Sequence, residues 1–222
     1  SDEGRGQWLA DQGYVYRPRI VVLNCRDPVV PYVPPPHMQS LCYTGTLHPS
    51  RFIREMVDAM KDIDGSLTIA GPDTPGSLYG WLKKKFGCGP EGFYGDEKVM
   101  FIGAVSPKLA LRVLQESDLS IQMANPASRI NVLGPYNRLF DAMAVGRPSL
   151  GTVGTENGNI ISNLSIGVQC VYSVESVVWA INAMLSDKEA MIGMGLRAYD
   201  VCLKTFNWAT QAKLLVGAYE AL

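Results

Sequence analysis

The sequence predicts an α/β fold built on a doubly wound parallel sheet with helices on both faces. Short continuous apolar segments, typical of strands buried on both faces, alternate with helical patterns of about 10–12 residues. Charged residues make up only 18% of the chain, below the usual ~25%, because strands covered on both sides leave little room for charge. Right-handed crossovers between successive parallel strands then give an open, doubly wound sheet.

The composition excludes several classes of protein and partner. A hydrophobic content of 47% over 222 residues is that of a globular domain, and not of a disordered or collagen-like chain. The formal net charge of −1 argues against a nucleic-acid partner, which would need a clustered basic face. The five cysteines are scattered and accompanied by only two histidines. We therefore expect no zinc site, and most of the thiols to act as small buried hydrophobes.

The sequence also gives an expectation for the compartment. The first residues, Ser1-Asp2-Glu3-Gly4, are acidic and polar, unlike the start of a signal peptide. No apolar run approaches the ~20 residues that a membrane span needs. Cysteines without a disulfide framework fit a reducing environment. We therefore expect a cytoplasmic protein.

The first 36 residues are expected to stand apart from the rest. A short helix is expected around Trp8 to Gln12, and residues 20–23 (Ile-Val-Val-Leu) have the composition of a buried strand. Five of the nine residues from Pro28 to Pro36 are prolines. Because proline fixes φ and lacks an N–H donor, this stretch is predicted to be an extended linker. We therefore divide the chain into residues 1–36 and a main domain, residues 37–222.

The main domain alternates strands and helices as a Rossmann-like sheet requires. Strands are expected at residues 41–44, 67–70, 99–102, 119–123, 148–150 and 167–171. Helices are expected at residues 52–60, 77–86, 107–114 and 137–145, and residues 173–222 should form two or three more. Ser106 and Pro107 suit the N-cap and the first position of the third helix.

Glycine follows each of the first three predicted strands, at Gly45, Gly71 and Gly103. Ligands of open α/β sheets bind outside the carboxyl ends of the strands. Glycine there allows the backbone to approach a ligand closely, although a simple turn into the next helix would also explain each residue. The three glycines together indicate a ligand site at this edge.

The most informative stretch runs from Gly134 to Pro148. Gly134-Pro135 forbids a helix, and Asn137 can cap the helix that follows. Helix N-termini attract anions, so a cation such as Arg138 in the first turn is better explained by an external anion beside it. Asp141 lies one turn deeper on the same face as Asn137. This spacing matches the diphosphate and ribose of a nucleotide, although an ordinary helix with a surface arginine and a surface aspartate would show it too.

Six segments, in order along the chain, match the motifs of one known family. They are Ile20–Asp27, Tyr43–Arg51, Leu67–Gly71, Val99–Val105, Pro135–Pro148, and Phe206–Trp208 followed by Tyr219. Together they resemble the C-terminal, donor-binding half of the GT-B glycosyltransferases, in the large retaining "group one" family. The resemblance covers the chain from Ile20 to its end.

The resemblance implies a role for each of the candidate site residues. Arg51 and Arg138 would be the catalytic residues, neutralising the diphosphate as negative charge builds on the leaving group. Asp141 would hold the ribose, and the backbone of Gly103 and Ala104 would hold the base. The remaining residues expected to bind the nucleotide are Gly45, Thr46, Gly71, Tyr136 and Asn137. The donor would be a nucleoside diphosphate sugar, with no cofactor and no metal ion.

The chain departs from the family pattern at several positions. Asp141 stands where the family has glutamate, and Arg138 where lysine is often found. The family's earlier, sugar-facing glutamate would fall at Leu133, and the loop from Asn125 to Arg129 offers no carboxylate in its place. The usual Gly-Arg-Leu of the first loop is Gly45-Thr46-Leu47. These departures concern sugar recognition and turnover more than nucleotide binding.

Three weaker signals have simpler explanations. Residues 87–92 fit Gly-x-Gly-x-x-Gly but follow Lys83–Phe86 instead of a strand, so they indicate a loop between a helix and a strand. Asp62-Ile63-Asp64 mimics a metal-binding motif but precedes a strand, as a solvated turn does. His48 could reach a donor from the first loop, but it is read as a surface histidine.

The sequence therefore predicts the nucleotide-sugar-binding half of a hexosyltransferase of carbohydrate biosynthesis, inactive as an isolated fragment. Its acceptor would bind to a missing N-terminal domain, through which any membrane contact would also be made. One alternative is a non-catalytic interaction or regulatory domain that retains the fold. Another is an epimerase or dehydrogenase, for which no acid/base pair or dinucleotide fingerprint was found.

Overall fold

A computed structural model of the chain describes residues 3–13, 20–74, 78–87 and 94–221. Seven strands form one sheet: β1 (Ser40–Thr44), β2 (Ser66–Ala70), β3 (Tyr94–Gly95), β4 (Val99–Phe101), β5 (Leu119–Ile121), β6 (Ser149–Thr152) and β7 (Gly167–Cys170). Their order is β3-β4-β2-β1-β5-β6-β7. Neighbouring strands are parallel except β3 and β4. The predicted α/β, Rossmann-like parallel sheet is confirmed, with a short antiparallel strand added at one edge.

Ten α-helices lie around this sheet in the described part of the chain. They are α1 (Glu3–Asp11), α2 (Ile53–Ala59), α3 (Leu78–Phe86), α4 (Pro107–Gln115), α5 (Arg129–Leu133), α6 (Asn137–Ala144), α7 (Glu156–Asn163), α8 (Val174–Ser186), α9 (Lys188–Lys204) and α10 (Trp208–Glu220). Ser106 caps α4 as predicted, since its side chain accepts a hydrogen bond from the Leu109 N–H at 3.3 Å. The short helix α5 and helix α7 were not predicted, and nor was β3.

The order of the strands determines where the site lies, because strands are added first on one side of β1 and then on the other. Strand β1 pairs with β2 on one side and with β5 on the other. The strands up to β4 lie on the β2 side, and β6 and β7 lie on the β5 side. Loops leaving the carboxyl ends of β1 and β5 therefore diverge and leave a crevice between them, where ligands of such sheets bind.

Residues 20–23, predicted to be a buried strand, do not join the sheet. They belong to no strand of the sheet, and Ile20 is 45% exposed. The N–H of Leu23 instead donates to the side-chain oxygen of Gln211, on α10, at 2.9 Å. Leu23 packs against buried residues of α6, α7 and α9 and not at a sheet edge, which is why the strand-like composition of this segment was misleading.

The proline-rich stretch contains no helix or strand, as predicted. It nevertheless packs on the main domain: the Val29 N–H donates to the Ala144 carbonyl at 2.8 Å, and the Tyr199 hydroxyl donates to the Val29 carbonyl at 3.0 Å. The fully buried guanidinium of Arg147 joins the carbonyls of Val33 and Gln115 at 2.8 and 2.7 Å. A domain division at residue 36 stays a prediction.

The cysteines behave as the composition indicates. Cys25, Cys42, Cys170 and Cys202 are buried and free, while Cys88 lies outside the described residues. Burial raises the pKa of the Cys42 thiol to about 12. These thiols are therefore protonated near neutral pH and pack as small apolar groups.

Candidate functional site

The three glycines at the carboxyl edge of the sheet bring their backbones into direct contact. Gly45, Gly71 and Gly103 all have positive φ, at 135°, 154° and 72°. The Gly71 N–H donates to the Gly103 carbonyl at 2.7 Å, and a Cβ on Gly71 would lie 1.8 Å from the Gly45 carbonyl oxygen. A side chain cannot be placed there, so Gly71 allows the loops after β1 and β2 to meet.

A cleft of about 430 Å³ opens beside the first of these glycines. It lies between the end of β1, the 3₁₀ turn at residues 49–51 and the start of α6. It is lined by Tyr43, Thr44, Gly45, Thr46, Arg51, Ala110, Ile130, Pro135, Tyr136, Asn137, Arg138 and Asp141. Seven of the ten predicted site residues are therefore brought together in this cleft, and Asp141 is the one acidic side chain among the described residues that line it.

Arg138 is the central cation of the cleft. It is 7% exposed, its Nε donates to Gln122 Oε1 at 2.9 Å, and its Nη2 donates to the Met123 carbonyl at 3.1 Å. Its buried Nη1 has no hydrogen-bond partner among the described residues. Burial lowers the pKa of this guanidinium from its ordinary value, and the neighbouring Arg51 lowers it further, although arginine remains charged in proteins. A buried cation without a carboxylate partner is costly, and an anionic ligand would offset that cost.

Two tyrosine rings hold the two arginines of the cleft. The Arg51 guanidinium lies 3.7 Å from the centre of the Tyr136 ring, and that of Arg138 lies 5.1 Å from the same ring. Arg138 also lies 4.6 Å from the centre of the Tyr43 ring. Each contact is within the range of a cation–π interaction. The faces of the two rings attract the guanidinium groups and so partly offset the repulsion between Arg51 and Arg138.

Buried amides, which the sequence analysis missed, fix this arrangement. Asn131 accepts from Arg51 Nη1 at 3.1 Å and from the Tyr136 hydroxyl, and donates to the Asn125 carbonyl at 2.7 Å. Asn157 accepts from the Tyr136 N–H at 3.0 Å. Gln122 was the detectable one, because a polar residue inside the apolar run at 119–123 indicates a buried hydrogen bond.

The start of α6 differs in one detail from the prediction. Asn137 is the first helical residue and not the cap; Tyr136 occupies the N-cap position and makes no side-chain capping bond. The backbone is extended at Gly134 and at Tyr136, and the helix begins directly after Tyr136, one residue earlier than predicted. The first N–H groups of a helix have no partner within it, so the helix end still favours an anion.

Three predicted residues lie along the same edge but do not line the cleft. Gly71 and Gly103 pack behind Gly45, as described above. Ala104 is exposed beyond Gly103. The position of a bound base next to these residues stays a prediction.

Asp141, predicted to bind ribose, has a partner of its own. Its Oδ1 accepts from Arg26 Nε at 2.6 Å, an ion pair between the segment before the linker and α6. Asp141 and Asn137 also line a second cleft of about 420 Å³ on the Arg26 side. The predicted carboxylate is thus at the site, but one of its oxygens is already bonded.

His48, one of the weaker sequence signals, lies among the described residues. His48 is exposed, and its ring nitrogen accepts from the Ser50 N–H at 3.1 Å, so it caps the 3₁₀ turn. In the glycine-rich stretch at residues 87–92, all but the first residue lie outside the described residues. In the part of the chain that the structure describes, no three potential ligand side chains are grouped to hold a metal ion. Within that same part, no helix has the length and apolarity to cross a membrane.

Comparison with solved structures identifies proteins of the same fold. HepE of Anabaena, in a complex with UDP, aligns with a TM-score of 0.63 at 15% identity over 84% of this chain and 50% of that one. The glycosyltransferase WaaG, involved in lipopolysaccharide biosynthesis, aligns at 0.60 with 13% identity over 95% and 50%. Sucrose-phosphate synthase of Thermosynechococcus elongatus aligns at 0.68 with 17% identity over 98% and 56%. The chain thus spans about half the length of each.

A search of curated proteins finds no significant match. A scan against protein families matches residues 49–217 to the family described as glycosyl transferase-like. That match covers all of the residues lining the first cleft from Arg51 onward, and the solved neighbours are GT-B enzymes whose C-terminal-like half this chain resembles. The chain therefore belongs to the glycosyl transferase-like family and has the fold of one half of a GT-B glycosyltransferase, as the sequence motifs indicated.

Proposed function

We propose that this chain is the nucleotide-sugar-binding half of a glycosyltransferase. The whole enzyme would act in carbohydrate biosynthesis in the cytoplasm, moving a hexose-type sugar from a nucleoside diphosphate to an acceptor held by an N-terminal domain outside these 222 residues. The observation that carries the proposal is the buried Nη1 of Arg138, which has no partner among the described residues and lies in a cleft at the start of α6. The complex of HepE with UDP supports the same ligand class.

A second unpartnered polar atom lies in the same cleft. The hydroxyl of Thr44, at the end of β1, is buried without a hydrogen bond in the described part of the chain. Buried polar atoms are rarely left unpaired in native proteins, so two of them in one cleft favour a polar ligand. Phosphate oxygens would accept from both groups.

The mechanism follows from the charge that develops during transfer. As the bond between sugar and phosphate breaks, negative charge builds on the departing diphosphate. Arg51, Arg138 and the N–H groups at the start of α6 stabilise that charge in a site whose geometry is already set by the buried amides. We propose that these groups do so without a metal ion or cofactor, that Asp141 accepts from ribose hydroxyls, and that the backbone near Gly103 and Ala104 binds the base.

Calorimetric titration of the chain with UDP, GDP and ADP tests this proposal. At least one nucleotide should bind, and Arg138→Ala should weaken that binding by about 1.5–3 kcal/mol, the usual contribution of a charge-assisted hydrogen bond. Arg112→Ala is the matched control, because Arg112 is an exposed arginine that pairs with Glu116 at 2.7 Å and does not line the cleft. Absence of binding to all three nucleotides would contradict the proposal, and so would robust sugar transfer by the isolated chain.

One observation favours a second candidate, a domain that retains the fold without catalysing transfer. The position of the family's sugar-facing glutamate is Leu133, and the described lining of the cleft holds no acid except Asp141. A non-catalytic interaction or regulatory domain would not need a sugar-facing glutamate or another acid in its place. Failure to bind any of the three nucleotides, in a chain that is folded, would favour this candidate.

A further inference from the structure

The pair formed by Arg26 and Asp141 lies where two clefts meet. Asn137 and Asp141 line both the cleft of about 430 Å³ and the second cleft of about 420 Å³. Arg26 lines the second, and its Nε donates to Asp141 Oδ1 at 2.6 Å. The pair therefore forms the boundary between the proposed nucleotide cleft and its neighbour.

The backbone that carries Arg26 is held on both sides. The preceding Cys25 is buried among α6 and α9 residues, and the Cys202 thiol lies 3.6 Å from the Arg26 carbonyl and 3.4 Å from the Phe206 carbonyl. The following Asp27 accepts from the Ala209 N–H, at the start of α10, at 3.2 Å. Arg26 thus projects from a fixed position, although this segment belongs to no strand or helix.

The pair leaves Asp141 able to accept further hydrogen bonds. A carboxylate has two oxygens and about four lone-pair sites, and Arg26 uses one of them. Oδ2 of Asp141 has no hydrogen-bond partner among the described residues. The side chains of Arg26 and Asp141 are 39% and 25% exposed, and ion pairs of that exposure contribute little to stability. What the pair supplies is orientation, because a charge-assisted bond fixes the rotation of the carboxylate.

We infer that Arg26 is a positioning residue for the nucleotide ribose: it holds Asp141 by Oδ1 so that Oδ2 accepts from a ribose hydroxyl. This inference rests on the proposed function, since it assigns Arg26 a role in that same site. Arg26 acts through Asp141 and does not touch the diphosphate. Its loss should therefore affect ligands that contain ribose and spare those that do not.

The test compares two ligands in calorimetric titrations: the tightest binder among UDP, GDP and ADP, and inorganic diphosphate, which lacks ribose. Arg26→Ala should weaken nucleotide binding about 3- to 10-fold, the size of a typical coupling between residues in contact. It should change the affinity for inorganic diphosphate less than about twofold. Arg26→Lys should restore part of the nucleotide affinity, because a lysine can keep the charge but not the geometry of the fork.

A double-mutant cycle shows whether Arg26 acts through its partner. In the Asp141→Ala background, Arg26→Ala should have no further effect on nucleotide binding. Arg112→Ala controls for the loss of one surface charge, and thermal unfolding of each variant reports whether it is folded. If Arg26→Ala does not fold, Arg26→Lys carries the comparison.

Three results would overturn the assignment while leaving the proposed function intact. Tighter nucleotide binding by Arg26→Ala would mean that Arg26 competes with the ribose for Asp141. Equal weakening for the nucleotide and inorganic diphosphate would mean that Arg26 contacts phosphate directly. An effect of Arg26→Ala that persists without Asp141 would mean that it acts by another route. A wild-type chain that binds no nucleotide would overturn the proposed function, and the assignment with it.

Discussion

The Nε of Arg138 donates to Oε1 of Gln122 at 2.9 Å, and this bond joins the first turn of α6 to the residue that follows β5. Gln122 is fully buried, and its Nε2 donates to Ser120 Oγ at 2.9 Å. A neutral amide therefore orients the buried guanidinium without cancelling its charge. That choice of partner leaves Arg138 able to bind an external anion.

Gln122→Glu tests the importance of that neutrality, because it changes the shape of the side chain little and gives Arg138 a carboxylate partner. A guanidinium paired internally is a weaker ligand for an external anion, so nucleoside diphosphate affinity should fall about tenfold. Calorimetry measures the affinity, and the melting temperature reports the fold. Unchanged affinity in a folded Gln122→Glu protein would show that the charge of Arg138 is not used by the ligand.

Two variants of Tyr136 distinguish the contribution of its ring to nucleotide binding from the contribution of its hydroxyl. Tyr136→Leu removes the ring that faces both Arg51 and Arg138, and should weaken nucleotide binding by about 1 kcal/mol through loss of the cation–π contacts. Tyr136→Phe keeps the ring and removes the hydrogen bond to Asn131, so it should weaken nucleotide binding less than Tyr136→Leu does. If the phenylalanine variant is the weaker binder, it is the hydroxyl that organises the site.

Gly71 should tolerate no side chain. Its φ is 154°, and an added Cβ would lie 1.8 Å from the Gly45 carbonyl oxygen, so Gly71→Ala should cost at least about 2 kcal/mol of unfolding free energy. Gly217→Ala is the matched control, because nothing lies within 4 Å of its added Cβ in the last turn of α10. That variant should gain about 0.5–1 kcal/mol from better helix propensity. Urea unfolding measures both, and a neutral Gly71→Ala would contradict the close contact of the loops.

Cys42 makes stability depend on pH at the alkaline end. Burial raises its pKa from 9.0 to about 12. Below pH 9 the thiol is protonated in both states; above it the unfolded chain ionises first, so stability is lost as pH rises toward 12. When the pH is raised from 8 to 10, the free energy of unfolding should fall by about 1.4 kcal/mol less in Cys42→Ala than in the wild type. Equal losses in urea titrations at the two pH values would show that Cys42 ionises as readily when folded.

The alternation of apolar strands and helices was sufficient to predict the parallel sheet and most of its helices. It failed at residues 20–23, because composition does not say whether an apolar segment meets a sheet edge or a helix face. It also failed at α5, which has only five residues, and at α7, whose sequence contains a glycine and three asparagines, residues of low helix propensity.

The candidate site was predicted in part, and for a physical reason. Arg138 and Asp141 were detectable because a cation in the first turn of a helix, with an acid one turn deeper, indicates an external anion, and Arg51 was detectable through the family resemblance. The roles of Asn131 and Asn157 depend on side chains that are distant in the sequence and meet only in the fold. The pairing of Asp141 with Arg26 links residues 115 positions apart, and no local pattern indicates it.

A crystal structure of the chain with its tightest-binding nucleoside diphosphate tests the central claim most directly. We expect a phosphate oxygen within about 2.7–3.2 Å of Arg138 Nη1, the range of a normal hydrogen bond, with the diphosphate resting against the first turn of α6. A nucleotide bound elsewhere, with Nη1 still unpartnered, would contradict the account.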